Sequence, residues 1–296
     1  MLKEMPHGII PAIVTPLRKD EEIHETSLRR VVNHVIRGGV HGVFATGSQG
    51  EFWAFTPDEK RRIWEIVVDE ARGRVPVYAG TMGATTRETI ALTKLAESTG
   101  VDAVSILTPF PLSPNDDELF NHYQAVADST ALPIVLYSNP SRTGTKISVP
   151  LLTRLAQIQT IVGIKDSSAD LETTAEYLRA APKHFSVMVG RETLLYAALH
   201  YGAKGCVAAT ANVMPSLVVE IYERFEAGDL EGARRAQERL TPLRLAFTLG
   251  TYPVVIKEAL DLMGLEAGPA RGPVGPLAPE QRERLRRVLK DMGALA

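Results

Sequence analysis

Cysteine is almost missing from this chain: among 296 residues there is one, Cys206. A lone thiol closes no internal disulfide and builds no cysteine-based metal cluster. An excess of either charge is missing too, with 33 Lys and Arg against 35 Asp and Glu and a net charge of −2. That balance offers no broad basic face to nucleic acid or to an anionic membrane. No apolar run reaches the roughly 20 residues of a membrane span. The start, MLKEMPHGII, lacks the apolar stretch and the small-residue cleavage site of a secretory signal. No G-x-G-x-x-G follows a strand-like run, which argues against a dinucleotide site, and there is no G-x-x-x-x-G-K-[ST] phosphate loop. A G-x-S-x-G nucleophile elbow is absent as well. The histidines, at 7, 24, 34, 41, 122, 184 and 200, show no paired-ligand spacing. The expectation is a cytoplasmic protein that handles a small molecule without a metal or an organic cofactor.

What the chain does have is alternation. Short apolar runs occupy 8–15, 42–46, 75–81, 103–108, 133–137, 161–165, 185–190 and 203–208. Amphipathic stretches such as TSLRRVVNHVIRGG, TPDEKRRIWEIVVDEARG and TTRETIALTKLAESTG lie between them. Each opens with Ser or Thr suited to N-capping and closes on Gly. The runs end at Thr15, Thr46, Thr81, Thr108, Tyr137, Lys165, Gly190 and Ala208, 18 to 35 residues apart. That is the length of a strand plus a crossover helix. The runs are continuous rather than alternating, as in parallel strands buried on both faces. Eight such units predict a closed (β/α)₈ barrel, with an open doubly wound sheet as the competing architecture.

From Pro215 the strand signal stops. SLVVEIYERFEAGD closes the eighth unit, and EGARRAQERLTPLRLAFTLG, YPVVIKEALDLMG and PEQRERLRRVLKDMG read as three further helices. Residues 1–228 are thus expected to form the barrel, and 229–296 a C-terminal helical extension of the same domain. The Pro/Gly-rich stretch 268–279 reads as a plain connecting loop.

Active sites of such barrels lie at the carboxyl ends of the strands, so the residues standing there matter most. Lys165 ends the sixth run. Burial in apolar surroundings disfavours an ammonium ion, and a neutral amine there can attack a carbonyl. The competing role is an ion pair with Asp166. Tyr137 ends the preceding run, one βα unit earlier, so adjacent parallel strands would bring both side chains to one end. Its hydroxyl can relay a proton, or simply plug the barrel end with its tip in water. The loop GSQGE (47–51) after the second run suits backbone binding of a carboxylate, or is an ordinary βα loop. Arg142, in SNPSRTG (138–144), can take a second carboxylate as a bidentate fork, or can sit solvated.

On these residues the chain resembles the dihydrodipicolinate synthase and N-acetylneuraminate lyase family. The likeness runs from about Gly8 to beyond Pro215. It rests on PAIVTPL (11–17), GSQGE (47–51), LYSNPSRTG (136–144), GIKDSS (163–168) and GAKGCVAATANVMP (202–215). The resemblance implies a (β/α)₈ barrel with C-terminal helices, assembled as a homotetramer, that binds pyruvate as a lysine imine. It matches Lys165 to the imine lysine and Tyr137 to the proton-relay tyrosine. Ser48 and Gln49 match the pair that grips the pyruvate carboxylate, and Arg142 matches the arginine that holds the second substrate's carboxylate.

Two positions depart from the family's synthases. Gln49 stands where a threonine hydroxyl is usual, and Pro111, in TPFPLSP (108–114), stands where a tyrosine joins the relay across a subunit interface. Phe110 has no hydroxyl to replace it. The sequence GEF from Gly50 is similar to family aldolases that act on 2-keto-3-deoxy sugar acids. The expected activity is therefore a lyase or aldolase that cleaves or forms a C–C bond between pyruvate and an aldehyde, on the sugar-acid side. Arg142 keeps open the alternative, 4-hydroxy-tetrahydrodipicolinate synthase, which condenses pyruvate with aspartate semialdehyde. Two readings of other classes are a non-catalytic 2-oxo-acid-binding barrel and a metal-dependent lyase.

Overall fold

The computed structural model describes residues 5–295. Residues 1–4, part of the start read above for a secretory signal, lie outside them, as does residue 296. Eight strands follow one another: β1 (Gly8–Pro11), β2 (Val43–Ala45), β3 (Val77–Gly80), β4 (Ala103–Leu107), β5 (Ile134–Ser138), β6 (Ile161–Asp166), β7 (Ser186–Val189) and β8 (Gly205–Ala208). Each falls within one of the eight apolar runs or overruns its end by one residue. All pairings are parallel, in the order β1-β8-β7-β6-β5-β4-β3-β2. Between the two end strands, Ala12 bridges Phe44 in parallel, and the Ile13 amide donates to the Phe44 carbonyl at 2.9 Å. That bridge closes the barrel and rules out the open sheet.

The helices are α1 (Glu25–Arg37), α2 (Pro57–Ala71), α3 (Thr86–Glu97), α4 (Asp116–Ala127), α5 (Pro140–Thr143), α6 (Val149–Leu155), α7 (Leu171–Ala180), α8 (Leu195–His200) and α9 (Pro215–Glu226). Beyond the barrel lie α10 (Leu230–Ala246), α11 (Val254–Leu262) and α12 (Pro279–Asp291). Thr56 caps α2 in a reciprocal capping box with Glu59, and Thr85 caps α3. The first helix departs from expectation: its cap is His24, whose Nδ1 accepts from the Ser27 amide at 3.2 Å. An imidazole nitrogen here does the work of the expected hydroxyl. Among the described residues no helix is long and apolar enough to cross a membrane.

Strand alternation sorts side chains between two cores. Outward residues pack beneath the helices, while Ile10, Ala12, Phe44, Tyr78, Ala103, Val135, Met188 and Val207 fill the barrel interior. Tyr137 lies two residues after Val135, so it shares that inward face and stands one layer higher.

Residues 268–279 are more than a connecting loop. The Arg271 amide donates to Glu51 Oε2 at 2.8 Å, and its guanidinium reaches Glu59 at 2.5 Å, the Ala54 carbonyl at 2.7 Å and the Glu21 carbonyl at 2.9 Å. Lys257 Nζ donates to the Pro269 carbonyl at 2.6 Å. Proline and glycine mark a segment without regular structure, but they do not reveal what its one arginine grips.

Candidate active site

The β5–β6 ladder sets Tyr137 opposite Lys165, and the β6–β7 ladder sets Lys165 opposite Met188. Register alone therefore points both side chains into the barrel at one level. Lys165 is only 5% exposed, and its Nζ lies 4.0 Å from the Tyr137 ring centroid and 5.5 Å from that of Phe44. The competing ion pair with Asp166 does not form. Asp166 alternates to the outer face, where it accepts from the Ser168 amide at 2.9 Å and from Thr174 Oγ1 at 2.7 Å. Among the described residues Lys165 makes no ion pair.

Tyr137 is 2% exposed, so its hydroxyl is not a plug with a wet tip. Asn139 Nδ2 donates to that hydroxyl at 3.0 Å. Burial by itself raises a phenol's pKa. Here the charge of Lys165 and hydrogen bonds with Ser48, Asn139 and Ser167 outweigh it, and the hydroxyl lies below the ordinary phenol range. Such a phenol releases a proton more readily than tyrosine in water. Room for the amine depends on Gly190, where a Cβ would lie 1.9 Å from Ser167 Oγ and 3.0 Å from Lys165 Cε.

The GSQGE loop turns tightly: the Glu51 amide donates back to the Ser48 carbonyl and the Phe52 amide to Gly47. Among the described residues the amides of Ser48 and Gln49 find no protein acceptor. The Gln49 side-chain oxygen is buried without a partner. Glu51 ends the loop at a φ of 56°, a left-handed conformation unfavourable for a side chain of its size. It is held there by Lys257, whose Nζ lies 2.5 Å from Oε1, both side chains being fully buried. Burial is the largest influence on Lys257 and disfavours its charge, while Glu51 favours it; the amine ends below the usual lysine range.

All five predicted residues, Ser48, Gln49, Tyr137, Arg142 and Lys165, line one cavity of about 360 Å³. Arg142 stands exposed at its rim, its guanidinium carbon 4.1 Å above the Tyr252 ring centroid. The sequence reading missed Asn139, Ser167, Arg191, Glu192, Arg244 and Tyr252, which line the same cavity. Two of these carried a signal. Ser167 follows Lys165 by two positions, hence on the same face, and Arg191 is the first residue after the seventh run. Arg244 and Tyr252 come from the C-terminal extension, where strand-end reasoning gives no purchase. Among the described residues no three His, Cys, Asp or Glu gather as a possible metal-ligand group.

A (β/α)₈ barrel with a buried lysine beside a tyrosine, under an open polar mouth, is the arrangement of a class I aldolase-type lyase. Comparison with known proteins agrees. The chain belongs to the Dihydrodipicolinate synthetase family, whose model matches residues 5–292. It is 38% identical over 290 residues to 4-hydroxy-tetrahydrodipicolinate synthase of Methanopyrus kandleri, covering 97% of each chain. Its fold superposes on dihydrodipicolinate synthase from Thermotoga maritima with a TM-score of 0.96 at 31% identity, covering 99% of this chain and 100% of that one. YagE, a prophage protein of the same family from E. coli K12 solved in complex with pyruvate, gives a TM-score of 0.94 at 29% identity, covering 97% of this chain and 99% of that one. The chain is thus an enzyme, a Schiff-base-forming lyase of the class I aldolase type.

Proposed function

We propose that Lys165 forms an imine with pyruvate or a pyruvate-yielding 2-oxo acid, and that the enzyme makes or breaks the bond between C3 of that acid and an aldehyde carbon. The observation that carries this is the in-register pair of buried side chains, Lys165 and Tyr137, on one cavity floor. The neutral Lys165 amine attacks the C2 carbonyl, and loss of water gives the imine. In cleavage, Tyr137 takes the proton of the C4 hydroxyl, the C3–C4 electron pair moves into the imine, and the aldehyde leaves. The enamine is then protonated at C3 and hydrolysed to pyruvate and free lysine. Condensation runs the same steps backward. No metal or organic cofactor enters this sequence.

The unpaired Ser48 and Gln49 amides support binding of the 2-oxo carboxylate at that loop. The Gln49 side-chain amide nitrogen, at the same cavity wall, supports it with a further donor. For the aldehyde, the hydroxyl and amide groups of Ser167, Asn139 and Thr251 along the cavity support a polyhydroxy chain, as in 2-keto-3-deoxy sugar acids. Condensation with aspartate semialdehyde, the second reading, draws on Arg142 at the rim and on the activity named for the relative from Methanopyrus kandleri. Pro111 stands against it. Turnover of a panel of 2-keto-3-deoxy sugar acids, set against pyruvate plus aspartate semialdehyde, tests the choice. Faster cleavage of a sugar acid is expected; efficient condensation with the semialdehyde would overturn it.

The same reading treats 1–228 and 229–296 as one unit, because Tyr252 and Arg244 share the cavity with Lys165. It also makes the enzyme cytoplasmic and a homotetramer. The exposed Phe110, Leu112 and Trp53 support association between copies.

A further inference from the structure

Asn139 stands at the start of α5, where an asparagine side chain ordinarily accepts amides of the first helical turn. Asn115 does so at the start of α4, accepting from the Asp117 and Glu118 amides at 3.0 Å each. The Asn139 side chain makes no such bond. Its backbone carbonyl serves the turn instead, accepting from the Arg142 amide at 2.9 Å and the Thr143 amide at 3.1 Å. The side chain, only 9% exposed, lines the cavity. There Ser141 Oγ donates to Oδ1 at 3.0 Å, which sets the amide nitrogen toward Tyr137, and Nδ2 donates to the phenol oxygen at 3.0 Å.

Three side chains hydrogen-bond that phenol: Ser48, Asn139 and Ser167. A serine hydroxyl rotates and either donates or accepts, whereas an amide NH₂ only donates. Of these three, Asn139 alone has a fixed direction, and a fixed donor favours the ionised oxygen over the neutral hydroxyl. We infer that Asn139 is a positioning residue: its amide holds the ionised oxygen of Tyr137 in place to take the proton of the substrate's C4 hydroxyl. This rests on the imine reading and on Tyr137 as its base. The charged and titratable groups that share the cavity with the phenol are Lys165, Arg142, Arg191, Arg244, Glu192 and Tyr252. The four cations favour the ionised phenol; Glu192, whose Oε2 lies 3.0 Å from Arg244 Nε, and Tyr252 do not. Elsewhere Tyr137 packs on Phe52, Met82 and Leu107, which carry no charge. All of these persist when Asn139 alone is replaced, so a change in the phenol's titration reports the Asn139 amide.

Titration of Tyr137 in the substrate-free enzyme tests it, followed by the ultraviolet absorbance of tyrosinate. Each enzyme is measured against the same enzyme carrying Tyr137→Phe, so that the difference isolates this one phenol. Asn139→Leu, of similar shape but without a donor, should raise the midpoint by about one pH unit or more, the scale of a hydrogen bond to a charged group. Asn139→Asp keeps the acceptor for Ser141 but replaces the donor with a carboxylate, and should raise it too, so the test stands even where the leucine variant folds poorly. In turnover, Asn139→Leu should lower kcat about tenfold at neutral pH, where the ionised fraction falls with the shift. Its kcat should then recover toward wild type as pH passes the new midpoint, whereas a merely structural loss would lower kcat at every pH. An unchanged midpoint in both variants, or a kcat loss of equal size at every pH, would overturn the inference. The imine reading is judged separately, by a pyruvate adduct on Lys165, since the titration uses no substrate.

Discussion

Lys165 and Asp166 are neighbours in sequence and opposites in role. Alternation along β6 turns one into the barrel and the other toward Thr174 on α7. The sequence already held this distinction, since a strand's two faces follow from its period. It could not show that Tyr137 is fully enclosed, because enclosure comes from Asn139, Ser48 and Ser167 closing around its hydroxyl. With the phenol below its ordinary range, its ionised form appears at lower pH than for tyrosine in water. In cleavage, where Tyr137 acts as base, kcat should rise with pH below the usual phenol value of about 10. Tyr137→Phe should abolish that rise and lower kcat by about a hundredfold or more. A pH–rate profile and kcat near those of the wild type would remove Tyr137 from the relay.

At the scale of the element, helix starts were legible where a hydroxyl caps them, as at Thr56 and Thr85, and not where an imidazole does, as at His24. A second histidine shows what packing adds. His122 on α4 is buried, its Nδ1 lies 3.0 Å from Thr86 Oγ1 on α3, and its Nε2 has no partner. Burial lowers its pKa to about 4 from an ordinary 6.5. The unfolded chain therefore binds a proton that the folded one refuses between those values. Stability is complete above about pH 6.5 and declines as pH falls toward about 4, by about 3 kcal/mol for this group. Denaturant unfolding across that range should show the loss, and His122→Gln should flatten it. An unchanged pH slope in the variant would mean that other groups govern the acid limb.

For the whole molecule, the eight units were readable because each is a continuous apolar run followed by a capped amphipathic stretch. Closure was not, since a barrel and an open sheet share that pattern; one bridge, Ala12 to Phe44, decides it. Nor did periodicity show that the C-terminal extension reaches back to the second βα loop. Lys257 on α11 and Arg271 beyond it converge on Glu51, which ends the GSQGE loop. Lys257→Met leaves a buried carboxylate uncompensated and should cost about 3–5 kcal/mol in unfolding experiments. It should also raise KM for pyruvate by loosening that loop. Unchanged stability and KM would show that the loop holds its shape without the extension.

The central claim is a covalent bond between pyruvate and one lysine, and it is tested without knowledge of the second substrate. The enzyme is incubated with pyruvate, reduced with borohydride, digested and mapped by mass spectrometry. A pyruvate-derived adduct on Lys165, absent without pyruvate, is the predicted result. Reduction that leaves Lys165 unmodified, or a pyruvate adduct on another lysine alone, would contradict it.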